Sequence, residues 1–492
     1  MSEQCSVMRL PRPIILITLL AILPTLLFPG DTPWIFDEPA EVALALGANQ
    51  QHRLASHALS GNFRIQYGPM PIQLNQLLLL ISHDPRLLIF LRALIVASIT
   101  ALSLLWLGRT LRLPIYFAPI ILIAPHIWLW SRQPWAAFLV TPLSVLAIAA
   151  YVSYLKTRCG WSLAITIATA IAMPLIHPQA IPLSAILLAA IPWQSRRDIW
   201  LHKGKIILPL IVLALLNYHY VKDILQHLSI PAAFAQGHPS HTSRIAAFLG
   251  AFQSARLITP HAFESPLSTN PNSLITLAHW VGLLPIPLTI LGLLLCLWTV
   301  IHSRLHPSPA DDSLRDDVKL SYVLLLIFLA HAIFAAATRL PPSPHYQFGL
   351  FGPTILAIWL ALQRLSSRYF IRATSLSLYA ASIALFTLGS MIHVHLHGWP
   401  PNQLSSTLNE QIDLVHQLNR YPNDSAWTTV PVYLMDPPHA LLALRLLYPE
   451  HPLTSGAAHL LISHSDDGHL RLSIIPPGTA PPPTAKLIPL NY

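Results

Sequence analysis

The sequence predicts an all-α polytopic membrane protein, with about eleven spanning helices and a small α/β soluble domain at its C-terminus. Three observations predict it: a scarcity of charge, a series of apolar runs near membrane-spanning length, and short basic loops that alternate with long, sparsely charged ones. Of the 492 residues, 53% are hydrophobic and 10% are charged, whereas a soluble domain carries about 25% charged residues. Too little polar surface remains to cover a globular protein, so the excess apolar surface must face lipid. The net charge of +9 does not indicate a nucleic-acid partner, because Lys and Arg fall in twos and threes between apolar runs and form no basic patch.

A spanning helix needs roughly 20 mainly apolar residues. Suitable runs centre on 14–29, 87–108, 113–130, 137–155, 162–177, 179–194, 206–221, 277–300, 320–338, 347–363 and 373–392. The pair 162–177 and 179–194 is short and reads as a tight helical hairpin or one bent element. The first run has a basic flank, Arg9 and Arg12, but Pro29-Gly30-Asp31 follows it instead of a small-residue cleavage pattern, so an uncleaved first helix is expected.

Loop charge sets the orientation. Arg9, Arg12, Arg109, Arg112, Lys156, Arg158, Arg196, Arg197, Lys203, Lys205, Arg304, Arg315, Lys319, Arg364, Arg368 and Arg372 all fall in one alternating set of short loops. The positive-inside rule places that set in the cytoplasm, with the N-terminus inside and the C-terminus outside. The outer face then carries loops at 30–86, 222–276 and 339–346. A transmembrane domain over 1–392 is expected, followed by an extracytoplasmic α/β domain over 393–492. In the latter, Leu408, Ile412, Val415 and Leu418 recur at helical spacing. Two strand-like runs, Leu460–Ser465 and His469–Ile475, flank Asp467-Gly468 as a hairpin would, and the Pro-rich stretch 476–483 reads as extended. Cys5, Cys159 and Cys296 fall in or near the inner segments, so neither a disulfide framework nor a thiolate metal cluster is expected.

The stretch carrying the chemistry opens the first outer loop. Phe36-Asp37-Glu38-Pro39 leads into an apolar-periodic helix through Glu41 to Gly47. Arg53, Arg64 and Tyr67 follow, then Gly68-Pro69-Met70-Pro71 and an amphipathic run, and the second span carries Arg92 in its first turns. Two adjacent acids just outside a span stand at the lipid–water boundary, where a carboxylate can take a proton from an incoming hydroxyl. A nearby guanidinium offers a planar, permanently charged fork for phosphate. The same residues have a plainer reading: Asp37 as the N-cap of the helix that follows, with Pro39 in its first turn and Glu41 favouring the helix dipole.

In their order along the chain, these motifs resemble the GT-C superfamily of membrane glycosyltransferases, in particular its branch of protein O-mannosyltransferases and aminoarabinose transferases. That branch has an acidic pair opening the first outer loop, a Pro-rich juxtamembrane helix, and a second span opening on Arg-Leu. Asp37-Glu38, Pro69 to Leu74 and Arg92-Ala93-Leu94 match that order. The resemblance continues through Ala124-Pro125 to Ser131-Arg132, through His177-Pro178, and into Arg339 to Pro353, where His345-Tyr346 enters a span. It covers roughly 10–365. Two departures stand out. Relatives often place a second acid just after the position of Arg132, where this chain has Gln133-Pro134-Trp135, and Pro69-Met70-Pro71 replaces two consecutive prolines.

The resemblance implies an inverting glycosyltransferase that moves a sugar from a polyprenyl-phosphate donor to an acceptor hydroxyl on a glycan, lipid or protein outside the membrane. A bacterial inner (plasma) membrane is the implied location. Asp37 would be the catalytic base with Glu38 assisting. Arg64, Tyr67, Arg132, Arg339, His345 and Tyr346 would contact substrate, and Arg92 would support the site. No cofactor or metal is assigned; the missing second acid weakens the case for a divalent ion without removing it. Arg132 and Arg339 also read as headgroup anchors, as do His345 and Tyr346. His393-Val394-His395-Leu396-His397 would align three imidazoles on a strand, which is better explained by the 25 histidines of the chain than by a metal. His126 and His331 read as neutral histidines bonded to neighbouring helices. Two rival functions remain: a non-catalytic scaffold of glycan assembly, and a lipid or glycan transporter, for which broken mid-membrane spans and a repeat are expected.

Overall fold

The computed structural model describes residues 11–34, 37–59, 67–112, 117–226, 242–262, 267, 273–306, 312–341, 343–364, 369–399, 407–418, 425–428, 459–464, 470–475, 480, 482–484 and 486–489. The first helices are α1 (Arg12–Leu26), α2 (Asp37–Gln50), α3 (Met70–Ile81) and α4 (Pro85–Thr110), followed by α5 (Phe117–Leu122), α6 (Pro125–Trp130), α7 (Val140–Thr157) and α8 (Gly160–Ile176). Next come α9 (Ile181–Leu201), α10 (Lys203–Leu216), α11 (Tyr218–Gln226), α12 (Arg244–Gly250), α13 (Ser273–Gly282), α14 (Pro285–Leu305) and α15 (Asp312–Thr338). The last are α16 (Phe351–Arg364), α17 (Tyr369–His397) and α18 (Leu408–Leu418).

Among the described residues, five helical stretches are long and apolar enough to cross a membrane: Pro85–Thr110, Ala136–Thr157, Ser273–Leu305, Asp316–Thr338 and Ala373–His397. A sixth counts if α9 and α10, bent by 102° where they meet, form one broken span. The two meet at His202, and α9 carries a further kink of its own at Ser195, whose φ of −163° and ψ of 96° leave the helical region, three residues after Pro192, which has no N–H to continue the ladder. Helices α1, α3 and α8 are apolar but shorter. The run 113–130 departs from expectation. It holds the two six-residue helices α5 and α6 instead of one span, because Pro125 starts a new helix after Ala124 turns extended.

Lipid exposure is written on the surface. Only 28% of the most apolar window in Ser273–Leu305 is buried, and Leu294, Leu297, Trp298, Ile301 and Leu305 all point outward. In water that face would be strongly unfavourable; in a bilayer it is the solvated one. The interior core joins α1, α4, α5, α7, α8, α15 and α16 around residues such as Val96, Leu104, Ile148, Tyr151, Phe328 and Trp359. Close approach between α14 and α16 depends on Gly292, where an added Cβ would lie 2.0 Å from the Ala357 carbonyl oxygen, as small residues permit between membrane helices.

A second core holds α2, α3, the start of α4 and the C-terminal segment together. Trp34, Val42, Leu46, Ile72, Leu79 and Leu88 pack with Leu408, Ile412 and Val415 of α18 and with Ile462. The C-terminal segment is therefore fastened to the stretch between α1 and α4. Leu408 N–H donates to the Thr32 carbonyl at 2.9 Å, Gln411 Nε2 to the Trp34 carbonyl at 2.6 Å, and Trp399 Nε1 to the Asp31 carbonyl at 3.0 Å. Helix α18 starts on a reciprocal cap: Thr407 N–H donates to Glu410 at 2.8 Å and Glu410 N–H to the Thr407 hydroxyl at 3.2 Å.

Strands β1 (Ser425–Thr428), β2 (His459–His464), β3 (Leu470–Ile475) and β4 (Lys486–Pro489) form one sheet in the order β3-β2-β1-β4, with β1 and β2 parallel. The expected hairpin is the antiparallel pair β2–β3, with His464 opposite Leu470. The Pro-rich stretch 476–483 lies mostly outside the described residues. Two expectations are corrected. His393 to His397 is not a strand but the end of α17, so His393 and His397 pair at one helical turn, with ring centroids 5.0 Å apart. His395 turns away from them, 3.0 Å from Asp31 and stacked on Phe28. Among the described residues, no group of three metal-ligating side chains forms. Cys159 is disulfide-bonded, against the expectation of none, while Cys296 is a free, buried thiol.

Candidate active site

Helix α2 begins at Asp37, with Asp37 and Glu38 in its first turn, where acids are favoured by the exposed N–H groups and the helix dipole. Residues one turn apart share a face, which aligns Asp37 with Glu41. Their burial differs sharply. Asp37 is half-buried, while Glu38 is 5% exposed and Glu41 fully buried. Burial lifts the Glu38 carboxyl well above its usual range, and the neighbouring Asp37 charge adds to the effect. Glu41 is pushed up to about 8 by burial, against the opposing pull of Arg92. Burial thus biases Glu38 and Glu41 toward the neutral form, and Asp37 is the least enclosed of the three.

The buried pair has a structural task that shapes the site. Arg92, on the first turns of α4, donates to Asn75 Oδ1 at 2.9 Å and to the carbonyls of Gln133 and Trp135 at 3.1 and 3.0 Å. Glu41 Oε1 accepts the Ala136 N–H at 2.8 Å. Together Arg92 and Glu41 clamp the backbone of 133–136, the segment in which this chain lacks a second acid. Arg92 is fully buried with its guanidinium spent on the protein, so it positions this segment.

The clamp presents Trp135 as a wall. Its ring lies 5.5 Å from Trp130 and 5.3 Å from His345. His345 stands 3.9 Å from the Tyr346 ring and its Nδ1 lies 2.8 Å from the Ser343 hydroxyl. Tyr346 is fixed through its backbone by His331. Across from these, Tyr67 packs on His177 at 4.5 Å, and its backbone bonds with Ala58 and Leu59 close the loop between them. Burial raises the Tyr67 phenol, reinforced in turn by Tyr346, Asp37, Glu41 and Tyr220. Burial pushes His345 down to about 4, leaving a neutral ring.

The structure thus gathers Asp37, Glu38, Tyr67, Arg92, His345 and Tyr346 around one region. Arg64 lies outside the described residues. Arg339 is exposed, in the left-handed conformation with φ 52°, between α15 and the short 3-10 turn Pro344–Leu350.

Arg132, expected among the substrate contacts, sits against the end of a helix in this structure. Its guanidinium is buried and donates to the carbonyls of Pro24 at 2.9 Å, Thr25 at 3.0 Å, Phe28 at 3.3 Å and also Leu27, which are the orphan acceptors at the end of α1. Sequence reasoning missed Glu41 as a site residue, along with Trp135, His177 and Tyr220. The four-residue step from Asp37 to Glu41 was the available signal.

No protein-family model matches the chain, and no curated protein does. Among solved structures, it is similar to the crystal structure of ArnT from Cupriavidus metallidurans bound to undecaprenyl phosphate, with a TM-score of 0.52 at 12% identity. The similarity spans 92% of this chain and 93% of that one. At that identity the likeness is one of fold. The chain has the fold of that protein.

Proposed function

We propose that this protein is an inverting glycosyltransferase that takes its sugar from a polyprenyl-phosphate donor and passes it to a hydroxyl on a glycan, lipid or protein. The observation that carries this reading is the sorting of the three acids on α2. Glu38 and Glu41 are buried, which shifts both carboxyls upward, while half-buried Asp37 shares its surroundings with Tyr67 and Tyr346. A carboxylate so placed takes the proton of the acceptor hydroxyl as that oxygen attacks the anomeric carbon. The bond from carbon to the phosphate oxygen breaks, and polyprenyl phosphate leaves with the bonding pair. Attack opposite the leaving group inverts the centre.

Phosphate stabilisation falls to Tyr67, His345, Tyr346, Arg339 and Arg64. Neutral donors dominate this set, and neutral His345 can present an N–H without carrying charge. The likeness in fold to a protein solved with undecaprenyl phosphate supports a lipid-phosphate donor for this chain as well. The C-terminal segment, 393–492, is assigned to the extracytoplasmic side together with the site, since α18 shares a core with α2.

Asp37→Asn tests the assignment. Asn caps a helix about as well as Asp but cannot accept a proton at neutral pH. The variant should fold, and its transfer rate should fall by about 10²–10⁴, the usual worth of a general base. Glu38→Gln should leave the rate within a few-fold. A parental rate in Asp37→Asn, alone and with Glu38→Gln, would reduce Asp37 to a helix cap.

A further inference from the structure

A cavity of about 550 Å³ lies at the other end of the bundle from the acids, lined by Arg112, Lys156, Asp317, Thr299, Ser321 and Leu360 among others. Helix α4 runs from the acid site to this cavity: Arg92 is in its first turns, while Thr110 and Leu111 at its far end line the cavity. At 1.5 Å per residue its 26 residues extend about 39 Å, so the cavity is separate from the site described above.

Its chemistry is divided. Arg112 is exposed and has no ion-pair partner among the described residues. Lys156 bonds Asp317 at 2.7 Å, and Arg158 and Lys319 share Asp316 at 3.2 and 3.4 Å. Among the described residues, three basic side chains thus share two acids, with Arg112 beside them in the lining. The hydroxyls of Thr110, Thr299 and Ser321 add neutral donors. The remaining lining is apolar, with Leu295, Leu320 and Leu360. On α14 the cavity-lining residues Leu295 and Thr299 sit beside Leu294, Leu297, Trp298 and Ile301, which face outward as lipid-contacting residues do.

We propose that this cavity binds the phosphate headgroup of an anionic glycerophospholipid, with Arg112 and Lys156 on the phosphate and the acyl chains along the outward face of α14. A basic pocket between membrane helices at the positive end of the bundle suits such a headgroup. A soluble anion would use the basic end alone; the apolar lining at Leu295, Leu320 and Leu360, with the outward-facing apolar side of α14 beside it, is what favours a lipid. Asp317 tempers the site by holding Lys156. The site rests on residues outside the proposed catalytic machinery and stands or falls independently of the transferase reading.

The experiment uses the full-length protein in nanodiscs of phosphatidylcholine with or without phosphatidylglycerol, with retained lipid read by native mass spectrometry and Tm measured alongside. The parental protein should retain phosphatidylglycerol in preference and melt higher with it. Arg112→Gln with Lys156→Gln should lower that preference roughly tenfold or more, the worth of a lost charge-assisted contact. Asp317→Asn should raise it, because Lys156 is then released, and this opposite sign separates binding from loss of folding. Inorganic phosphate should not compete. Equal retention of the two lipids by the parental protein, competition by inorganic phosphate, or no gain in Asp317→Asn would overturn the proposal.

Discussion

Arg132 and Glu41 show how an ionisable residue near a site can serve the scaffold. Arg132 stands in a short loop beyond the apolar run 113–130, where sequence alone makes it a phosphate ligand or an anchor. Its planar fork instead reaches several carbonyls at the end of α1, a task a single ammonium cannot match. Arg132→Ala should therefore cost about 1–3 kcal/mol of stability, since buried acceptors lose their donor. Arg132→Lys should recover little of it. Thermal unfolding in detergent measures both, and a normal Tm with a raised KM would return Arg132 to the substrate.

Glu41 makes a pH-dependent prediction. Its folded pKa of about 8, against an ordinary 4.5, means the folded state holds a proton that the unfolded chain has already lost. The associated stability is full below about pH 4.5 and drains away as pH rises through about 8. Glu38 shifts in the same direction. Glu41→Gln is permanently neutral and keeps an acceptor for Ala136, so its Tm should fall less than the parental Tm across that range. Superimposable Tm profiles would show that Glu41 titrates normally.

At the scale of elements, the site depends on how tightly the loop after α2 closes under α8. Gly68 follows Tyr67, and a Cβ there would lie 1.6 Å from the Leu175 carbonyl oxygen. Backbone cannot yield as a side chain can, so Gly68→Ala must displace Tyr67 and the start of α3. Transfer should drop at least tenfold, roughly the effect of misplacing a site by an ångström, while the protein remains folded by circular dichroism. Unchanged activity would place Tyr67 outside the site.

Composition and periodicity made α2, α3, α4 and the β2–β3 hairpin legible, because each carries a local signal: an acid start, a proline start or an alternating run. The span expected at 113–130 failed because apolar content alone cannot report a break. Pro125 was visible, but prolines also occur inside α1, α8, α9 and α10. His393 to His397 failed because a five-residue alternation is too short to outweigh the long helix that enters it. The partners of Arg132 lie more than 100 positions away, and no local pattern encodes them.

For the whole molecule, the central idea is that one bundle holds its chemistry at the end where α2, the 133–136 segment and the Pro344–Leu350 turn converge. The three candidate functions are distinguishable in a single preparation. Full-length protein in liposomes would receive a panel of polyprenyl-phosphate sugars together with acceptor on the acid-bearing face. A transporter would move the donor across the bilayer intact, and a scaffold would bind it and leave it whole. The direct measurement is release of polyprenyl phosphate coupled to acceptor glycosylation, in the parental protein and in Asp37→Asn. The account predicts stoichiometric release by the parental protein, inversion at the anomeric carbon, and a rate lower by about 10²–10⁴ in the variant. Donor that is bound or flipped but never cleaved by the parental protein would contradict it.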